Sequence, residues 1–183
     1  MQTNFAPELL ADPKMGEAEQ IVRKCPVGVL VVKARPRGPY RHVLVGTDFT
    51  EESRYALRAS TRMFPAAAFL LMHAFERPYR LLPADNPPIQ DFAEMEMATM
   101  REFVGQTKLS KRLRERIHTT VEHGLPGAML SRYVVERGAD LTVIGAFRRG
   151  MVFHVLVGGN ARRIVDAVPS DVLVVRAKRD ARS

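Results

Sequence analysis

Apolar and polar residues follow each other in blocks along the chain, and from residue 41 onward these blocks alternate between strand and helix patterns. Five short runs predict strands; the third run alternates and the other four are continuously apolar. They cover residues 41–47, 68–75, 116–122, 140–147 and 170–177. Apolar residues at helical spacing predict helices at residues 48–64, 89–113, 124–138 and 158–168. This alternation predicts a doubly wound five-stranded parallel sheet with helices on both faces.

Capping residues mark where two of these helices begin or end. Thr50 is placed to cap the first helix, and Glu51 and Glu52 fall in the turn where the helix dipole favours acidic side chains. Gly138 closes the helix before the fourth strand. The methionines of residues 89–113 are expected to pack in the core rather than bind a metal.

The residues before the first strand repeat the end of the chain. Residues 18–35 align without gaps on residues 161–178, and nine of the eighteen positions are identical. An extra helix and strand therefore precede a complete domain, joined to it by a linker at 34–40. This pattern is typical of the C-terminal part of a tandem protein, in which the end of one domain is fused to the whole of the next.

The extra strand is too apolar to stand alone, and we expect it to pair with an exposed sheet edge. The final strand offers such an edge, so residues 27–33 are predicted to lie beside it. The sequence leaves open whether the acceptor is the same chain or a dimer partner. The predicted organisation is an extension at 1–40, a domain at 41–177 and a basic tail at 178–183.

Composition narrows the class of protein. The chain has 183 residues, 46% of them hydrophobic and 26% charged, which is ordinary for a soluble domain. Its single cysteine, Cys25, excludes an internal disulfide. No segment predicts a secretory signal or a membrane span, so we expect a cytoplasmic protein. The net charge of +8 fits a basic surface better than a nucleic-acid site, because no recognition motif accompanies the scattered basic residues.

Three segments together resemble the universal stress protein family. They are VLVGTDFTEESRYAL, LLMHAF and GADLTVIGAFRRGMVFHVLVGGNARRIVDAVPSDVLVV. The resemblance implies a parallel sheet with strand order 3-2-1-4-5, related to adenine nucleotide hydrolase-like folds. It also implies that the protein acts in stress responses and forms a homodimer through the last strand. The alternative is a homodimer through the N-terminal strand at residues 27–33, if that strand is exchanged between chains. Some members of the family bind ATP and others do not.

The resemblance also implies a phosphate loop of the form Gly, two residues, Gly, nine residues, Gly, then Ser or Thr. Gly145 and Gly158 match the first and third glycines at the family's spacing. Arg148 replaces the second glycine, and Gly159 replaces the hydroxyl residue. Arg148 either blocks the phosphates or contacts them, and losing the hydroxyl costs on the order of 1 kcal/mol.

Other positions complete the predicted site. The backbone amides at the start of the last helix attract anions whatever side chains are present, and Asn160 offers a local cap. Two roles are open for Asp48, which matches the family's adenosine-side aspartate but is also placed to cap the following helix. His73 is expected to be a packing residue. The resemblance places ATP, with Mg²⁺ only when ATP is present, against these residues: Gly46, Thr47, Asp48, Ala74, Gly145, Arg148, Arg149, Gly158, Gly159 and Asn160.

Two functions follow as alternatives. One is a stress protein that binds an adenine nucleotide, and the other is a dimeric module that binds no nucleotide and recruits an unknown protein partner. No catalytic constellation is visible, and slow ATP hydrolysis would need the hydroxyl that Gly159 has replaced, so we expect no enzyme activity.

Overall fold

The computed structural model describes residues 28–33, 35, 38–76, 88–146 and 158–176. In these ranges the strands are β1 (Val29–Val31), β2 (His42–Thr47), β3 (Ala68–Phe75), β4 (Ile117–His123), β5 (Leu141–Ala146) and β6 (Asp171–Arg176). The helices are α1 (Glu51–Met63), α2 (Ile89–Gln106), α3 (Lys111–Arg114), α4 (Pro126–Arg137) and α5 (Gly158–Ala167).

The strands form a six-stranded sheet in the order β1-β6-β5-β2-β3-β4. The five strands from β2 to β6 run parallel to their neighbours. Numbered from β2, their order from β4 to β6 is 3-2-1-4-5, as predicted. The sheet differs from the expected five strands only in β1, which extends it beyond β6.

Helices cover both faces of the sheet, which confirms the doubly wound arrangement. On one face, α1 and α2 contribute Ala56, Leu57, Met100 and Phe103 to a buried apolar cluster. On the other face, α4 and α5 contribute Leu130, Val134, Ile164 and Val165 to a second cluster. The central strands supply residues to both clusters, since successive side chains point to opposite faces.

Two predicted helix ends are confirmed by their caps. The Thr50 hydroxyl accepts a hydrogen bond from the Ser53 amide at the start of α1. Gly138 follows α4 in the left-handed conformation, with φ of 63°. The Thr50 contact pairs a backbone amide that the first turn of a helix leaves without a partner.

The prediction of one helix over residues 89–113 is wrong, because the structure has two helices there. The Thr107 amide closes α2 by donating to the carbonyls of Phe103 and Val104. Ser110 then caps α3 through its side chain, which accepts from the Leu113 amide. Hydroxyl residues favour such local bonds over a continued helix. Of the methionines, Met100 is fully buried, whereas Met95 is 65% exposed.

The extra strand lies beside the last strand, as predicted, and its acceptor is the same chain. β1 pairs antiparallel with β6, and Leu30 lies opposite Leu173. Asp171 holds the segment that follows, because its carboxylate accepts from the Lys33 amide at 2.7 Å and from the Tyr40 hydroxyl at 2.6 Å. The helix that the repeat predicts before β1 and the tail at 178–183 lie outside the described residues.

Candidate functional site

A crevice is expected between β2 and β5, where the order of the strands reverses. The chain leaves β2 into α1 on one face of the sheet, and it enters α5 after β5 on the opposite face. In doubly wound sheets, ligands bind beyond the carboxyl ends of the strands at this switch point. Gly46, Thr47, Asp48 and Gly145 lie at these ends of β2 and β5, where the sequence placed them.

A network of hydroxyl groups holds the turn after β2. The buried Thr47 hydroxyl lies 2.9 Å from the Ser53 hydroxyl and accepts from the Phe49 amide at 3.0 Å. The Ser53 hydroxyl also lies 2.9 Å from the Thr50 carbonyl oxygen. The side chain of Thr47 therefore fixes the turn, while its backbone lies at the crevice.

Asp48 is exposed, and one of its carboxylate oxygens serves the cap of α1. That oxygen accepts from the Thr50 hydroxyl at 2.5 Å and from the Thr50 amide at 3.2 Å. Thr50 is the residue that caps α1. Of the two roles that the sequence left open for Asp48, the structure therefore displays the structural one, and a contact to a ribose stays a prediction.

Phe49 adopts an uncommon backbone conformation, with φ of 62°. A residue as bulky as Phe is rarely left-handed, so the surrounding contacts must hold it there. Its ring packs on the ring of His73, with centroids 4.2 Å apart, and edge-on against Phe103 at 5.6 Å. This aromatic layer fills the space behind the β2 turn.

The contacts of His73 support the packing role expected for it. Its Nδ1 lies 2.8 Å from the Thr47 carbonyl oxygen. That oxygen only accepts hydrogen bonds, so Nδ1 carries a proton. Nε2 lies 3.5 Å from the Glu96 carboxylate on α2. His73 thus ties β3 to the β2 turn through Nδ1, and its other ring nitrogen faces α2.

Ala74 follows His73 on β3 and is half-buried. It pairs with Glu122 of β4. Its strand, β3, is one strand further from β5 than β2, which the turn at Asp48 follows. Its backbone is thus at the same end of the sheet as the crevice, on the side away from α5.

Gly145 is required by packing alone. A Cβ at this position would lie 2.6 Å from the carbonyl carbon of Glu52 and 2.8 Å from the Ser53 nitrogen. Its φ is not positive, so the requirement is for space and not for a special conformation. The backbone of the first turn of α1 packs directly against this glycine. The close contact explains a glycine at this position without any ligand.

The start of α5 is expected on the far side of the crevice, because α5 precedes β6, which runs parallel to β5. Gly158, Gly159 and Asn160 are its first three residues, so their amides belong to the turn that carries unpaired donors. The positive end of the helix dipole lies at the same place. Arg148 and Arg149 lie outside the described residues, and their predicted contacts with phosphate stay predictions.

Sequence reasoning did not find the cluster formed by Phe49, His73 and Glu96. These residues come from three separate elements, and no spacing along the chain signals that their side chains meet. The network of Thr47 and Ser53 was also missed, although two hydroxyl residues six positions apart at a strand-to-helix turn offered a weak signal.

A second concavity, of about 500 Å³, lies at the opposite end of the sheet. It is lined at the amino ends of β2, β3 and β4 by residues including His42 and His118, and by Tyr133 and Arg137 of α4. None of the predicted site residues lines it. It is therefore separate from the crevice at the switch point.

Two further observations, on metal ligands and on membrane-spanning helices, concern the described residues. In those ranges, no group of three or more His, Cys, Asp or Glu side chains is placed to hold a metal ion. Among the described helices, none is both long enough and apolar enough to cross a lipid bilayer.

The fold and the crevice define a doubly wound α/β protein with its expected binding surface at the strand switch point. A model of the universal stress protein family matches residues 39–176, about three quarters of the chain. The chain belongs to that family. No curated protein matches its sequence.

Solved structures from the family share this fold. Universal stress protein UspA from Lactobacillus plantarum is 20% identical, with a TM-score of 0.61 over 76% of this chain and 100% of its own. A universal stress protein in complex with cAMP is 22% identical, with a TM-score of 0.53 over 75% of this chain and 98% of its own. A universal stress protein from Archaeoglobus fulgidus is 18% identical, with a TM-score of 0.63 over 89% of this chain but 54% of its own. The third match covers more of this chain than the family model does, but only about half of the longer Archaeoglobus protein.

Proposed function

We propose that the protein is a stress-response protein that binds an adenine nucleotide in the crevice between β2 and β5. The observation that supports the proposal is that the Thr47–Asp48 turn and Gly145 lie at the carboxyl ends of two adjacent parallel strands, with α5 following β5 at the switch point. A helix amino terminus beside a strand end attracts phosphate groups through its amides and its dipole. The family structure in complex with cAMP shows that one relative binds an adenine nucleotide.

In this proposal the nucleotide lies with its phosphates toward α5 and its ribose toward Asp48. The amides of Gly158, Gly159 and Asn160 receive the phosphates, while Arg148 and Arg149 add positive charge. The backbone at Ala74 reads the edge of the adenine. These roles derive from the family resemblance, and they fit the end of the sheet at which the described residues lie.

The crevice is compatible with Mg²⁺ only as part of a nucleotide complex. Mg²⁺ in such sites is held by one or two carboxylates together with substrate phosphates. Among the proposed site residues, Asp48 supplies the carboxylate, and the Thr47 hydroxyl is already used by Ser53 and Phe49. A bound ion would neutralise phosphate charge, with Asp48 as its protein partner.

The second candidate is an interaction module that binds no nucleotide. Two observations favour it: Gly145 is required by α1, and Asp48 is engaged with Thr50. Both residues thus have structural reasons that need no ligand, and the loop departs from the family pattern at Arg148 and Gly159. Under either candidate we propose a non-enzymatic protein that acts in the cytoplasm.

Isothermal titration calorimetry with Mg-ATP, and with AMP in parallel, separates the two candidates. A nucleotide-binding protein is expected to bind ATP with micromolar affinity and AMP much more weakly, because the phosphates supply the contacts. Absence of heat at millimolar ATP would overturn the proposal and favour the interaction module.

Restoring the family loop makes this experiment sharper. The variant Arg148→Gly with Gly159→Ser carries the full pattern of glycines and hydroxyl. Arg149→Gly removes the same charge from the next residue, so it measures how far the loss of charge alone weakens binding. Tighter ATP binding by the restored loop alone shows that the natural loop has weakened an existing site. Weaker binding by the restored loop shows that Arg148 contacts phosphate.

A further inference from the structure

The edge of β6 is covered by the antiparallel strand β1, and the register of this pair is related to the sequence repeat. Val29 lies opposite Val174, Leu30 opposite Leu173, and Val31 opposite Val172. The sequence repeat relates the same strands, since residues 18–35 align on residues 161–178. In that alignment Leu30 is the equivalent of Leu173, so Leu30 lies opposite its own counterpart.

The neighbouring pairs obey the same relation. Val29 is the equivalent of Val172 and lies opposite Val174, while Val31 is the equivalent of Val174 and lies opposite Val172. A pairing of i with j that is matched by a pairing of j with i is the signature of a two-fold interface. β1 therefore occupies the position that the β6 of a second copy would take, with the axis passing through the pair at Leu173.

The residues at the ends of β1 differ from their equivalents in β6, and these differences suit β1 to its position beside β6. Lys33 is the equivalent of Arg176, and its ammonium group donates to the carbonyl oxygens of Val165 and Val168 at the end of α5. Gly28 is the equivalent of Asp171, and a Cβ there would lie 3.2 Å from the Val174 carbonyl oxygen. A larger side chain would crowd this end of the strand.

The two faces of β1 are unequally exposed, which shows how the strand is held. Val31 packs against the cluster beneath α4 and α5, and Lys33 reaches α5 from the same face. Leu30 and Val32 lie on the other face and are 41% and 50% exposed. Carboxylates at 29 and 31 should therefore displace the strand, whereas carboxylates at 30 and 32 should leave it in place.

Pairing of two copies through the last strand is what the family resemblance implies; we propose that in this chain β1 occupies the β6 edge as a substitute for the β6 of a second copy, and that displacing β1 opens that edge to a second copy. While β1 is bound, this edge is closed to dimerisation. The inference is independent of the proposed nucleotide site, because it concerns the other end of the strand order and needs no ligand.

The experiment compares the molar mass of three full-length chains by light scattering after size exclusion. The native chain is expected to be monomeric, and Val29→Asp with Val31→Asp is expected to give a twofold larger, concentration-dependent mass. The control, Leu30→Asp with Val32→Asp, adds the same charge and is expected to stay monomeric. A peptide of residues 27–35 should return the displaced variant to a monomer by refilling the edge.

Two results would overturn the proposal. One is a folded variant with Asp at 29 and 31 that stays monomeric, and the other is a control that dimerises equally. A cross-link keeps the test valid if the displaced variant does not fold. In a chain carrying Cys25→Ser, cysteines at Val29 and Val174 should join within one chain on oxidation, and a bond between two chains contradicts occupancy by the chain's own strand.

Discussion

At the residue scale, Gly145 matches the first glycine of the family's phosphate loop and is also required by packing against α1. We expect Gly145→Ala to destabilise the protein by about 2–3 kcal/mol, because its Cβ would overlap the backbone of Glu52, which cannot rotate away. Urea denaturation measures the loss. The control is Gly105→Ala, whose Cβ meets nothing within 4 Å and lies within α2, where alanine is expected to stabilise by about 0.5–1 kcal/mol. Equal stability of the two variants would contradict this account.

The candidate site could be predicted from the sequence only as far as strand ends determine it. The positions of Thr47, Asp48 and Gly145 follow from the rule that parallel strands end at a common edge. The structural role of each residue could not be predicted, because that role depends on contacts between segments that are distant in the sequence. The contact of Gly145 with α1, and the packing of Phe49 on His73, arise only once the elements are placed in space.

At the scale of elements, a hydrogen-bonded network joins β4 to α4. The Tyr133 hydroxyl donates to Glu122 at 2.6 Å, and Arg132 donates to the other carboxylate oxygen at 2.7 Å. Burial alone would raise the pKa of Glu122, but the hydrogen bonds from Tyr133 and Arg132 outweigh it and lower that pKa. The native state thus binds fewer protons than the unfolded chain at mildly acidic pH, and stability rises with pH there.

Tyr133→Phe removes the shortest of these bonds, and we expect it to cost about 1 kcal/mol at neutral pH. The cost should shrink as pH falls through the lowered pKa of Glu122, because a protonated carboxyl no longer holds a charge-assisted bond. Urea denaturation at neutral and acidic pH measures the difference. In a chain already carrying Glu122→Gln, the same substitution should show little dependence on pH, and a cost that is constant with pH in both chains would argue against the network.

The elements themselves were largely predictable, because burial imposes a period on the sequence. Four of the strands were found through continuous apolar runs and β4 through an alternating run, and the strand order came with the family resemblance. The break between α2 and α3 was missed, since the apolar pattern continues through it, whereas the backbone becomes extended at Thr107 and Ser110 caps a new helix. The register of β1 was not predicted either, although the repeat contains the information needed to derive it.

At the scale of the whole molecule, the net charge of +8 raises the question of nucleic-acid binding. Several arginines of the described residues are committed to internal contacts. Arg54 bonds to Glu51 and to the Phe103 carbonyl, and Arg116 bonds to the carbonyls of Pro65 and Ala67. Such residues hold elements together, so the formal charge overstates the basic surface that is available to a polyanion.

We therefore expect only weak, non-specific binding to DNA, with a shallow dependence on salt. Each phosphate contact contributes about −0.9 to the slope of log affinity against log salt concentration, so a slope no steeper than about −2 corresponds to roughly two contacts. Fluorescence anisotropy of a labelled duplex, titrated at several salt concentrations, measures that slope. A second duplex of unrelated sequence is the control and should bind equally. A slope of about −6 or steeper, or a clear preference between the duplexes, would show that the basic residues form an organised nucleic-acid surface. The excess charge would then serve a polyanion in addition to any nucleotide in the crevice.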